Sequence, residues 1–150
     1  MSINYGFVYV LSNPLMIGVY KIGMTDRSPS QRIAELNSST SIPTEFRLIL
    51  CAEVVDARES EAMLHRELGY ARINSKREFF RLDAGELGWL EEQLVDLSED
   101  RIFYRTEEMD YVEHMNNLES IKAERNLKIS WFFDQNADPI DWGDMRIYKI

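Results

Sequence analysis

The sequence has a single cysteine, Cys51, so no disulfide can form within the chain. Cys51 lies in the apolar run FRLILCAEVV, which favours a small buried thiol over a reactive nucleophile. No apolar run approaches the roughly 20 residues that a membrane-spanning helix needs. A basic segment followed by an apolar core, the pattern of a secretory leader, is also missing at the start. We therefore expect a cytoplasmic protein.

Basic residues are also scarce: 17 Lys and Arg stand against 26 Asp and Glu, for a net charge of -9. Such a balance argues at first against nucleic acid, because proteins that bind phosphate backbones usually carry a basic face. The imbalance is uneven along the chain. Residues 1–82 hold 10 basic and 9 acidic residues, or +1, whereas residues 83–150 hold 7 and 17, or -10. This asymmetry predicts a near-neutral working domain with an acidic C-terminal extension.

The first half of the working domain has the pattern of a β-hairpin followed by a helix. Apolar runs at 6–11 and 18–24, separated by turn residues, predict the two hairpin strands. If Leu11 pairs with Val19, Tyr9 lies opposite Lys21, and the phenol and the ammonium group share one face of the sheet. The helix is predicted over about 29–37, with Ser28 and Gln31 forming a capping box.

The second half continues with a strand and two helices. Residues 44–55 predict a third strand, and Asp56 is the expected N-cap of the helix that follows it. A further helix is predicted near 83–97. The order is therefore ββαβα, an α+β fold, and the arrangement of the segments beyond residue 98 is not predicted.

One carboxylate interrupts the apolar stripe of the second helix. Ala57, Glu61, Leu64 and Leu68 recur at helical spacing, so Glu61 is expected to face the core. A buried carboxylate needs a partner, because an unpaired one costs several kcal/mol. The alternatives are a structural ion pair with an arginine such as Arg32 or Arg72, the N-terminus of a helix, and a metal ion. His65, one turn later, lies close to the same face.

Three further residues have both an ordinary and a functional interpretation. Arg32 lies in the first turn of a helix, where a guanidinium group can bind phosphate, although most arginines on short helices are solvated. Tyr9 is either a core tyrosine or a reactive phenol, and Lys21 is either a solvent-reaching edge lysine or a site cation. Each residue alone is weak evidence for a site.

Taken together, these motifs resemble the GIY-YIG nuclease superfamily. The match consists of VY at Val8 and Tyr9, KIG in place of YIG at 21–23, the arginine of SQRIAELN, ESEAMLH and REFF, in one order over about residues 6–82. The variant with lysine is typical of a phage and bacterial branch. The resemblance implies a small three-stranded antiparallel sheet flanked by helices, in a nuclease domain over residues 1–98, and a bacterial or phage-infected cell as the setting.

The resemblance also implies a metal-dependent endonuclease acting on DNA. Tyr9 would take a proton from water, with the field of Lys21 favouring its phenolate, and Arg32 would hold the phosphate. Glu61 would bind a single Mg²⁺ or Mn²⁺, and His65 would orient Glu61 or carry protons. Glu78 and Arg77 of REFF are expected to form a structural ion pair that closes the sheet against a helix, with a role in the site as the alternative.

The acidic extension, residues 99–150, leaves an alternative open. It would pack on the nuclease domain or regulate it, and a fold that is non-catalytic or autoinhibited would then bind a protein partner through this acidic region. A plain solvated acidic face is the simplest interpretation of the extension alone. An acidic surface of this kind would pack on a basic partner protein or imitate DNA, and its candidate contact residues are Trp131, Phe132, Phe133, Asp138, Asp141 and Trp142.

Overall fold

The computed structural model describes residues 5–39 and 44–133. Asp138, Asp141 and Trp142, together with the side chains of Trp131, Phe132 and Phe133, lie outside the described residues. The elements in chain order are β1 (Gly6–Ser12), β2 (Val19–Thr25), α1 (Pro29–Asn37), β3 (Arg47–Val54), α2 (Ala57–Glu67), a 3₁₀ turn (Gly69–Ala71), β4 (Phe79–Arg81), α3 (Ala84–Ser98), β5 (Phe103–Arg105) and α4 (Glu107–Phe133).

The strands form one antiparallel sheet in the order β4-β2-β1-β3-β5. The α+β class is confirmed, whereas the expectation of three strands is wrong, because β4 and β5 add a strand at each side. Both are three residues long. A segment of that length has too few side chains to show the alternation from which a strand is predicted.

The hairpin register differs from the predicted one by two residues. Tyr9 pairs with Gly23 and Leu11 pairs with Lys21. The connecting loop contains two tight turns, closed by Met16 N to Asn13 O at 2.9 Å and Val19 N to Met16 O at 3.1 Å. Because a shift of two residues preserves the side-chain alternation, the phenol and the ammonium group still share one face.

The helices α1, α2 and α3 begin where the sequence predicts, but only α2 and α3 have a side-chain cap. The Asp56 side chain accepts a hydrogen bond from Glu59 N, as predicted for α2, and Asp83 forms a full capping box with Glu86 at the start of α3. The capping box predicted for α1 is wrong, since Ser28 makes no side-chain cap hydrogen bond. The backbone carbonyl of Ser28 still accepts the first helical hydrogen bond, from Arg32 N at 3.1 Å.

The two faces of the sheet pack against different helices. We call the first the core face; it carries Val8, Val10, Tyr20 and Ile22 and packs against α2, α3 and the start of α4. The second, the α1 face, carries Tyr9, Leu11 and Cys51 and packs against Ile33 and Leu36 of α1. Cys51 is buried there, and burial raises its thiol pKa to about 11, as expected for an inert cysteine.

Contacts divide the chain into two compact units, which meet between Asn116 and Asn117. The first unit contains the whole sheet and the first part of α4. The boundary predicted after residue 98 stays a prediction. None of the helices in the described part of the chain is long and apolar enough to cross a membrane.

Candidate functional site

The candidate residues converge on β2 from three directions. Tyr9 and Lys21 come from neighbouring strands of the sheet, Arg32 from α1, and Glu61 and His65 from α2. Tyr9 is 1% exposed, and its ring lies directly on Gly23. A Cβ atom at Gly23 would lie 2.5 Å from the Tyr9 hydroxyl oxygen, so only glycine permits this approach.

Arg32 lies beside the Tyr9 hydroxyl and reaches the protein surface. Its guanidinium lies close enough to that hydroxyl to affect the pKa of Tyr9, and its Nη1 donates a hydrogen bond to a carboxylate oxygen of Glu35 at 3.3 Å. The Arg32 side chain is 38% exposed, and it is therefore reachable from solvent. Burial raises the pKa of Tyr9, and the neighbouring Arg32 only partly offsets that effect. Tyr9 is consequently a protonated phenol at neutral pH, and the nearby cation that acts on it is Arg32 rather than the predicted Lys21.

Lys21 forms an ion pair with Glu78. The Lys21 Nζ atom lies 2.9 Å from Glu78 Oε2 and 5.5 Å from the centre of the Phe79 ring, and the lysine side chain is only 13% exposed. The pair forms because β4 adds to β2 with Phe79 opposite Lys21. The predicted ion pair between Glu78 and Arg77 is therefore wrong: Glu78, which directly precedes β4, pairs with Lys21 of β2.

The outer edge of β2 continues beyond Phe79, the first residue of β4, and side chains of α2 lie against it there. His65 Nε2 lies 2.9 Å from the Ile22 carbonyl oxygen, and the backbone N–H of Met24 acts on the Glu61 carboxylate and lowers its pKa. Four residues of helix advance about 6 Å, and two residues of strand advance about 6.8 Å. Glu61 and His65 of α2 can therefore reach positions two residues apart on β2.

Glu61 is half-buried and has no salt bridge among the described residues. Neither arginine considered as its partner forms one: Arg32 pairs with Glu35, and Arg72 donates from Nε to the Arg77 carbonyl oxygen at 2.7 Å. Burial, followed by repulsion from Glu78, raises the pKa of Glu61 to about 7, against the attraction of Lys21. The site therefore contains a carboxylate that lacks a full counter-charge.

His65 is held in one tautomer. Because the Ile22 carbonyl can only accept, Nε2 carries the hydrogen, and in the neutral ring Nδ1 keeps its lone pair. Burial lowers the pKa of His65, with the Ile22 hydrogen bond acting in the opposite direction. The neutral imidazole at neutral pH therefore has one nitrogen that can accept a proton.

Glu61 is the one described carboxylate at this site that lacks a salt bridge. Glu61 supplies a half-buried carboxylate oxygen, the ligand that Mg²⁺ and Mn²⁺ prefer, and the excess negative charge beside Glu78 favours a cation there. No group of three or more His, Cys, Asp or Glu side chains within residues 5–39 and 44–133 has the geometry of a metal site. Water and substrate oxygens would therefore complete the shell around such an ion.

Two parts of this arrangement were not predicted from the sequence. The contact between the Tyr9 ring and Gly23 depends on the register of the β1–β2 hairpin, which is set by the two turns of its connecting loop. The contact between Lys21 and Glu78 requires β4, whose three residues show no alternation. The charged residues of REFF indicated an ion pair in this segment, but they did not identify Lys21 as the partner of Glu78.

The model of the T5orf172 domain family matches residues 6–98, and the chain belongs to that family. The resemblance to the GIY-YIG superfamily was therefore wrong, since this match assigns the same stretch to a different family. Short motifs such as VY and KIG are weakly specific, whereas a family model compares the whole segment. Comparisons with curated proteins and with solved structures give no match.

Proposed function

We propose that this T5orf172-domain protein is a metal-dependent endonuclease that hydrolyses phosphodiester bonds in DNA. The observation that carries the proposal is the meeting of two unlike groups at β2: the Arg32–Tyr9 pair and the carboxylate of Glu61 without a salt bridge. The first group suits a phosphate oxygen and the second suits a cation. Phosphodiester hydrolysis needs both kinds of stabilisation around one phosphorus atom.

Arg32 would bind the non-bridging oxygens of the scissile phosphate. Its present anionic partner, Glu35, is a surface carboxylate at 3.3 Å, so the exchange of that contact for a phosphate costs little. The buried Tyr9 hydroxyl beside Arg32 would orient the guanidinium group. A phosphate bound there would lie beside β2 and the Glu61 carboxylate.

Glu61 would hold the metal, and His65 would accept the proton. A bound Mg²⁺ or Mn²⁺ supplies charge neutralisation at the phosphate and at the leaving oxygen. The neutral His65 Nδ1 is a better acceptor at neutral pH than Tyr9, because burial keeps the phenol protonated. Tyr9, which is buried, would then act by positioning Arg32. Lys21 neutralises Glu78 and keeps the local charge from becoming more negative.

Nicking of supercoiled plasmid by the purified protein tests the proposal. We expect nicking with Mg²⁺ or Mn²⁺, none with EDTA, and a loss of at least roughly 100-fold in Arg32→Ala, the scale of one lost transition-state contact. Arg66→Ala is the matched control, since it removes an exposed helical arginine whose only described partner is Glu59 at 3.8 Å. Intact plasmid under all metal conditions, or equal nicking by both variants, would refute the proposed role of the site.

The alternative is a module of the same fold that binds a protein partner through the acidic region. In the first compact unit, several acidic side chains of α4 already have partners: Glu108 pairs with Arg47 at 3.1 Å, and Asp110 pairs with Arg105 at 2.7 Å. This part of α4 packs on the core face, opposite Tyr9. An autoinhibitory or partner-binding role for the later acidic residues stays a prediction, and deletion of residues 117–150 followed by the plasmid assay tests it.

A further inference from the structure

One short segment of this acidic protein is strongly basic. Residues 72–81 contain Arg72, Lys76, Arg77 and Arg81 against Glu78 alone, which gives 4 - 1 = +3 in a chain of net charge -9. Lys76, Arg77 and Arg81 are exposed. We call these three residues the basic strip.

The cations of the basic strip lack acidic partners among the described residues. Most other described cations form a salt bridge, as shown by Lys21, Arg27, Arg32, Arg47, Arg66, Arg101 and Arg105. A run of exposed cations without carboxylates is unusual in a protein with an excess of acidic residues. Its positive charge is therefore available to an external anion.

The turn that carries Lys76 and Arg77 is held in place by internal bonds. Arg77 N donates to the Asn74 carbonyl at 3.0 Å, and Lys76 N donates to the Asn74 side chain at 2.9 Å. Arg72 braces the turn, because its Nε donates to the Arg77 carbonyl at 2.7 Å while its guanidinium covers the Phe80 ring. Lys76 and Arg77 therefore project from a defined loop.

The basic strip adjoins the candidate site. Glu78, which follows Arg77, pairs with Lys21, and its carbonyl accepts from Ile22 N at 3.1 Å. Arg81 lies two residues beyond Phe79 on β4, and therefore on the same face of the sheet. Phe79 packs in the cluster that contains Tyr9. The strip thus runs from the edge of the site along β4.

We propose that Lys76, Arg77 and Arg81 bind backbone phosphates of the DNA duplex beside the one at Arg32. The inference rests on the proposed function, and it identifies the surface on which the substrate lies. Because phosphate contacts release counterions, each should contribute about 0.9 to the slope of log affinity against log salt concentration. Such contacts position DNA without reading its sequence.

Binding of a fluorescently labelled duplex, measured by anisotropy in EDTA over a series of salt concentrations, tests the inference without catalysis. We expect Lys76→Gln/Arg77→Gln to lower the slope by about 2 and the affinity by roughly tenfold or more near 0.1 M salt. Arg47→Gln/Arg66→Gln is the matched control, because it removes the same charge from two arginines that already have carboxylate partners. Lys76→Arg/Arg77→Lys keeps the charge and should bind as the wild type does.

The outcomes separate the two proposals. If the wild type binds and nicks DNA while the strip variant keeps its affinity and slope, the strip is not the binding surface and the nuclease proposal stands. Equal losses in the strip and control variants would show a general charge effect and also overturn the inference. A wild type that fails to bind duplex at low salt overturns it directly, and the plasmid assay then decides the proposed function by itself.

Discussion

Replacement of Glu61 by glutamine should make the metal-free protein more stable at alkaline pH. The folded-state pKa of Glu61 is about 7, against an ordinary value of 4.5. One unit of pKa corresponds to about 1.36 kcal/mol, so about 2.5 units set an upper limit of about 3.4 kcal/mol on the cost of ionised Glu61. Water around this half-buried group reduces the expected cost to about 1 to 2 kcal/mol. Glutamine removes the charge and keeps a side-chain oxygen at the same position.

The pH dependence has a definite sign. A carboxyl with a raised folded-state pKa binds more protons in the folded state, so its stability is full below pH 4.5 and declines as the pH rises through about 7. The wild type should therefore lose about 1 to 2 kcal/mol from this residue between pH 4.5 and pH 8. Glu61→Gln should not show that loss, and the two proteins should be equally stable near pH 4.5.

Urea unfolding followed by circular dichroism, in EDTA at several pH values, measures the difference. Glu67→Gln is the control, because Glu67 is an exposed carboxylate of the same helix. Addition of Mg²⁺ at pH 8 should stabilise the wild type according to the metal concentration and leave Glu61→Gln unchanged. If Glu61→Gln is less stable than the wild type at pH 8 in EDTA, the carboxylate has a stabilising partner and the electrostatic reasoning is wrong.

Two further predictions concern the packing around the sheet. Gly23→Ala should destabilise the fold by about 1 to 3 kcal/mol in urea unfolding, because its Cβ would overlap the Tyr9 ring, whereas Gly69→Ala, with no atom within 4 Å, should have little effect. Equal midpoints for both variants would contradict the described contact. Tyr20→Phe should cost about 1 to 3 kcal/mol, because its hydroxyl donates to buried Asn116 Oδ1 at 3.2 Å and the nearby Nδ2 has no described partner. An unchanged unfolding midpoint would show that water replaces the hydroxyl.

Much of the fold was predictable because its longer elements carry clear periodicity. The helices α1 and α2 and the first three strands follow from apolar spacing and from Asp56 as a cap. The register of the β1–β2 hairpin was not predictable, because two turns in the connecting loop shift it by two residues. The outer strands were missed because their three residues are governed by pairing with a neighbour rather than by their own pattern.

For the candidate site, the sequence showed that Glu61 is an unusual residue, but it did not show which groups surround it. Glu61 was recognisable as a carboxylate on an apolar stripe, and the structure adds that it lies beside the free edge of β2. That position depends on where β4 begins, and no local pattern predicts the start of β4. The phenol and ammonium group share a face as expected, but the cation that acts on Tyr9 is Arg32, which approaches from α1.

The sheet ends on each side in a strand of only three residues, β4 and β5. An exposed strand edge is a template on which another chain can add a strand, and its risk grows with its length. Here each outer strand offers few free backbone groups, and each ends in an arginine, Arg81 or Arg105. The α2 side chains occupy the uncovered part of β2. The arrangement therefore disfavours aggregation by strand addition.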